Sequence, residues 1–156
     1  SENVTGWMKQ LSSEGKYEVD AATLETIKTL FDAGCCDDND TKSTIAKVFN
    51  EKNYLCDTHT AVAVKVYYDY KEKTGDATPA VIASTASPFK FSAAVLEAVD
   101  GKNDNLDEFE MVERLASVTG KSCPEQLANL RDKAVRFDGC CSKDSMDGVV
   151  FDMLGI

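Results

Sequence analysis

The chain has 156 residues, of which 43% are hydrophobic and 28% charged, the size and balance of one ordinary soluble domain. Its formal net charge of −10 repels nucleic-acid phosphates and anionic lipid, which argues against a nucleic-acid or membrane role. No apolar stretch is long enough to span a bilayer, and residues 1–6 lack the basic and apolar regions of a signal peptide, so a cytoplasmic location is expected.

In chain order, the pattern is mostly helical. Trp7, Met8 and Leu11 give a short apolar face. Asp20 is placed to cap a helix, with Thr23 at the third helical position where Glu or Gln would complete a capping box. Leu24, Ile27, Leu30 and Phe31 recur at helical spacing, and Gly34 reads as the stop. Asp40 or Thr41 is expected to cap the next helix, whose Ile45, Val48 and Phe49 share a face. Val62, Val64, Val66, Tyr68 and Tyr70 alternate as in a strand, yet the same stretch fits a helix capped by Asp57, and periodicity does not decide between them. Residues 80–83 read as a buried strand, pairing either with residues 134–137 or with strands outside the chain. Residues 102–105 read as an exposed loop. Phe109, Val112, Leu115 and Ala116 form a further helical face ending at Gly120, Pro124 opens a short helix through Leu127 and Leu130, and Met146, Val149, Val150 and Met153 have helical spacing in the tail.

Most chemistry-like motifs have a plainer reading. The six cysteines (Cys35, Cys36, Cys56, Cys123, Cys140, Cys141) have no C-x-x-C spacing, and His59 is the only histidine, so no zinc site is expected and the thiols are read as reduced. Residues 37–40 and 100–113 are acidic, but neither has the glycine and glutamate positions of an EF-hand, so both are read as turns and caps. Ser142-Lys143-Asp144 lacks a preceding strand and a phosphate loop, which argues against a catalytic lysine. Ser87 before Pro88 is a good helix cap. Ser84 and Thr85, between the expected strand and an alanine-rich helix, sit where α/β proteins bind ligands. The absent initiator methionine is read as a sign of processing, engineering or derivation from a longer chain.

Two segments carry a family resemblance. Asp57-Thr58-His59-Thr60-Ala61-Val62-Ala63 resembles the D-P-H-T-A-V-A segment of threonine synthases, and Thr85-Ala86-Ser87-Pro88-Phe89-Lys90-Phe91 resembles their T-A-H-P-x-K-F segment. Thr58 stands where the family has proline, Ser87 where it has histidine and Phe89 where it has alanine. The resemblance favours the helical reading of the stretch after Asp57.

The resemblance implies an α/β fold class: a mostly helical portion with a short sheet remnant around residues 79–84, belonging to a fold-type-II pyridoxal-phosphate enzyme. It implies that residues 1–156 form one compact carboxyl-terminal portion. The full protein would be a lyase of threonine biosynthesis that converts O-phospho-L-homoserine and water into L-threonine and phosphate with pyridoxal 5'-phosphate. The Schiff-base lysine would lie in an amino-terminal part, leaving this portion inactive alone, without a catalytic residue of its own and prone to self-association. Thr85 would bind the pyridine nitrogen of the cofactor. Lys90, Ser84, Asp57 and His59 are candidates for substrate binding or loop organisation. The alternatives are another fold-type-II lyase, such as a dehydratase, and a non-catalytic acidic helical interaction module.

Overall fold

The computed structural model describes residues 1–101 and 105–156, so most of the loop expected at 102–105 lies outside the described residues. The described residues form two compact units, Ser1–Ala86 and Ser87–Ile156. They are mostly helical, and no helix among them is long and apolar enough to cross a membrane.

In the first unit, α1 (Glu2–Glu14) closes on Gly15, whose φ of 73° is the left-handed conformation that glycine adopts without penalty. α2 (Ala21–Lys28) starts at Asp20, whose carboxylate accepts from the Thr23 backbone N–H at 2.9 Å. The Thr23 hydroxyl returns to the same carboxylate at 2.7 Å, so it takes the place of the glutamate of a capping box without reciprocating to the backbone. Neither helix buries a residue.

The centre of this unit is a pair of helices, α3 (Asp38–Lys52) and α4 (Thr58–Thr74), packed against one another. α3 contributes Thr41, Thr44, Ile45 and Val48 to the buried face, α4 contributes Thr60, Ala61 and Val64, and the connecting loop buries Leu55, Cys56 and Asp57. The stretch that alternates like a strand is therefore helix. Each buried aliphatic side chain stabilises by about 1.5–3 kcal/mol relative to exposure, which is why the i, i+3, i+4 face of α3 outweighs its polar composition.

Three expectations are corrected here. The cap of α3 is Asp37, which accepts from the Asp40 N–H at 2.8 Å, so the helix begins before Asp40 or Thr41. α2 stops at Lys28, well short of Gly34, because Thr26 and Thr29 turn their hydroxyls onto the carbonyls of Ala22 and Thr26 and no packing partner rewards continuation. Leu30 and Phe31 are consequently exposed, at 83% and 68%. Gly34 serves a different purpose: a Cβ there would come within 2.9 Å of Val66 Cγ1.

The third correction concerns the sheet remnant around residues 79–84. That segment belongs to no strand among the described residues, and Val81 is 99% exposed. The other expected strand, 134–137, is likewise irregular, with Val135 and Phe137 exposed. A strand is defined by a ladder with a neighbour, and β-favouring side chains without one leave only extended chain.

In the second unit, a 3₁₀ turn (Pro88–Phe91) leads into α5 (Ser92–Asp100), which packs against α6 (Glu108–Thr119). Phe89, Val95, Leu96 and Leu115 are buried, and Arg114 pairs with Asp100 at 2.9 Å. Short α7 (Glu125–Ala128), a 3₁₀ turn (Lys143–Ser145) and α8 (Met146–Leu154) follow, and every residue from 131 to 156 is exposed.

Candidate functional site

Most of the sequence-named residues of the first unit converge at the start of α4. Asp57 is its N-cap: the residue is extended (φ −74°, ψ 169°), and one carboxylate oxygen accepts from the backbone N–H groups of His59 at 2.9 Å and Thr60 at 3.3 Å. The other oxygen takes the hydroxyl of Thr60 in a short hydrogen bond. His59 brings Nδ1 within 3.3 Å of the same carboxylate while most of its ring faces solvent.

Asp57 is fully buried. Burial alone would raise its pKa, but the hydrogen bonds from Thr60 and His59 outweigh that effect and hold the carboxyl below the ordinary carboxylate range. The buried carboxylate is thus held by donors from the first turn of its own helix.

The network continues outward. Ser84 Oγ lies 3.2 Å from Thr60 Oγ1, and the Tyr54 hydroxyl donates to Ser84 Oγ at 3.1 Å. Each hydroxyl has one proton to give. Thr60 has one proton for two acceptors, the carboxylate and Ser84 Oγ, and Ser84 also accepts from Tyr54. The result is a run of contacts, Tyr54–Ser84–Thr60–Asp57, joining residues 30 positions apart.

Thr85 follows Ser84 directly. It is exposed, and its hydroxyl has no hydrogen-bond partner among the described residues. Lys90 is exposed on the 3₁₀ turn of the second unit, next to the buried Phe89. Ser87 caps that turn, accepting from the Phe89 N–H at 3.3 Å with Pro88 at the first position. Asp37 caps α3, and Ser142, Lys143 and Asp144 lie in an exposed turn.

Sequence reasoning missed Tyr54 and the central part played by Thr60. Thr60 was visible as the third helical residue after an aspartate cap, the position whose side chain can return to the cap. Tyr54 carried no local signal. Cys56, buried beside Asp57, was also passed over; burial first, and the neighbouring carboxylate second, push its thiol up to about 11.

A second feature of this unit is an apolar groove of about 510 Å³ lined by Gly34, Ala63, Val66, Tyr70 and residues 80–83. The close approach of Gly34 to Val66 forms one wall.

The comparisons with known proteins agree with the motifs. The family described as "Threonine synthase, C-terminal" matches residues 60–147. Threonine synthase of Saccharomyces cerevisiae is 34% identical over 105 residues, covering 64% of this chain and 20% of that protein. Threonine synthase of Pseudomonas aeruginosa is 31% identical over 124 residues, covering 76% and 25%. The crystal structure of PLP-bound threonine synthase from Brucella melitensis superposes with a TM-score of 0.56 at 30% identity, over 78% of this chain and 24% of that one. The chain spans about a fifth to a quarter of the length of these relatives. With the family's C-terminal region matched over more than half of its residues, the chain belongs to the threonine synthase family as a C-terminal portion.

Proposed function

We propose that this chain is the C-terminal part of a cytosolic enzyme that converts O-phospho-L-homoserine and water into L-threonine and phosphate with pyridoxal 5'-phosphate. The observation that carries the reading is the family match over residues 60–147, which begins in the Asp57-capped helix and runs through the Thr85 segment. The relatives named threonine synthase, one of them described as PLP-bound, support the cofactor. In this reading the isolated chain is inactive, because the lysine that carries the cofactor is supplied by the remainder of the protein.

The residues present suit the group. When bound, the cofactor supplies an electron sink for chemistry at the carbons next to the substrate amine. Thr85 offers an exposed hydroxyl donor that is not engaged elsewhere among the described residues. It would hydrogen-bond the pyridine nitrogen, and, unlike a carboxylate, it cannot stabilise a full pyridinium, so it orients the ring while leaving that nitrogen unprotonated. Lys90 would meet an anionic group of the substrate, and Asp57 with His59 would organise the adjoining loop. The groove beside residues 80–83 is where the rest of the protein, or a second copy of the isolated chain, would cover apolar surface.

The test is phosphate release from O-phospho-L-homoserine with added pyridoxal phosphate, measured on this chain alone and on the chain co-expressed with its upstream coding region. Activity only in the second sample is expected. Activity in neither overturns the reading, and activity in the chain alone overturns the assignment of the lysine elsewhere. In the full protein, Thr85→Val should leave the circular dichroism spectrum unchanged and weaken cofactor retention about tenfold, the value of one hydrogen bond.

A further inference from the structure

Residues 76–85 lead from α4 toward the second unit without regular secondary structure. At the near end, the Asp76 carboxylate accepts from the Tyr70 hydroxyl at 2.9 Å and from the Thr78 N–H at 2.8 Å. At the far end, Ser84 sits between Tyr54 and Thr60. Between these two points no strand ladder is present among the described residues, and Val81 is 99% exposed. Thr85 is the first residue past the second point, one peptide unit beyond it, so where Ser84 is held decides where Thr85 can be.

The hold on Ser84 is built to be firm. Its hydroxyl oxygen is approached by Tyr54 and by Thr60, which holds its rotamer from two sides. Thr60 is itself held by the fully buried carboxylate of Asp57, a charge-assisted partner. Asp57 is in turn locked by the first turn of α4, which is packed on α3. The helix pair thus reaches, through the Thr60 and Tyr54 hydroxyls, a segment that has no strand ladder among the described residues.

We infer that Ser84 is a positioning residue for Thr85, held by Tyr54 and Thr60 against the buried Asp57, so that the family's cofactor contact is set by a hydroxyl chain reaching out from α4. The inference rests on the proposed role of Thr85 and adds the residues that aim it. Ser84 itself need not touch the cofactor. Tyr54 lies outside both sequence motifs and would be its outermost support.

Two measurements on the full protein test this. The first is amide hydrogen exchange at residues 83–86 in the cofactor-free state. Ser84→Ala should speed exchange there about fivefold or more, Tyr54→Phe less, and Ser84→Thr should restore the wild-type rate, while the amides of Ile45 and Val64 stay unchanged. The second is cofactor retention, read by absorbance during dialysis: Ser84→Ala should weaken it about five- to tenfold, approaching Thr85→Val, and Ser84→Thr should rescue it. Unaltered exchange at 83–86 in Ser84→Ala overturns the hydroxyl chain. Faster exchange with wild-type retention overturns the positioning role while the Thr85 reading stands, provided Thr85→Val releases cofactor. Wild-type retention in Thr85→Val overturns that reading and the positioning role with it.

Discussion

Asp57 and Asp107 are the same cap in different surroundings. Their backbones are nearly superposable (φ −74°, ψ 169° and φ −74°, ψ 170°), and each carboxylate accepts from the N–H groups two and three residues on. Around the buried Asp57 carboxylate the remaining partners are the Thr60 hydroxyl and the His59 ring, whereas Asp107 is 57% exposed and faces Arg131 at 3.1 Å, with Glu110 reaching back to its N–H at 2.8 Å. Both carboxyls lie below their ordinary value: Asp107 first through the Glu110 N–H, and Asp57 through Thr60 and His59 against the opposing effect of burial. The shared geometry starts a helix. What each cap does beyond that depends on its side-chain partners: the Asp57 cap reaches Ser84 through the Thr60 hydroxyl, and the Asp107 cap reaches Arg131 through an exposed ion pair.

The largest effect should come from removing the buried carboxylate. Asp57→Ala is expected to cost about 2–4 kcal/mol in urea unfolding, since it strands two backbone donors and the Thr60 hydroxyl away from water. Asp107→Ala should cost much less, because water replaces the lost acceptor. Equal losses would erase the distinction between the two caps.

Acid provides a finer comparison. A carboxyl with a depressed folded pKa stabilises fully above its ordinary value of 3.8 and loses that contribution as pH falls through the folded value. The stability gap between wild type and Asp57→Asn should therefore be full at about pH 5 and shrink by about pH 2.5. A gap of constant size would mean that the carboxylate charge contributes nothing to the network.

The smallest change sharpens the comparison from the stabilising side. Thr58 is the first helical residue after Asp57. Asp57 already has the extended conformation that a following proline requires, and the first-turn position needs no N–H. Thr58→Pro should raise stability by about 0.4–1 kcal/mol through the unfolded chain, read as a higher urea midpoint. Destabilisation would show that the Thr58 hydroxyl, 3.5 Å from His59 Nδ1, supports the site more than the backbone gains.

The sequence disclosed one of these caps better than the other. Asp57 was visible because it opens a recognisable motif, and Asp20 because an aspartate precedes an apolar helical run. The Asp107–Glu110 box has the right spacing in plain view, yet it was subsumed in an acidic segment considered for calcium. Residues 80–83 form no strand among the described residues because β-branched composition describes a preference that only a neighbouring strand can realise. The Tyr54–Ser84 contact was illegible for a different reason: its partners are 30 residues apart, and no local pattern encodes a pairing made by the fold.

Cys56 stands directly behind the Asp57 cap, and its buried thiol stays protonated to about 11. Since the thiolate is the reactive form, alkylating reagents at neutral pH should take the exposed Cys35, Cys140 and Cys141 rapidly and Cys56 only when the loop before α4 opens. The molecule thus carries an internal clock: the slow class of thiol counts excursions of the cap, and its labelling rate measures how often the buried carboxylate meets water.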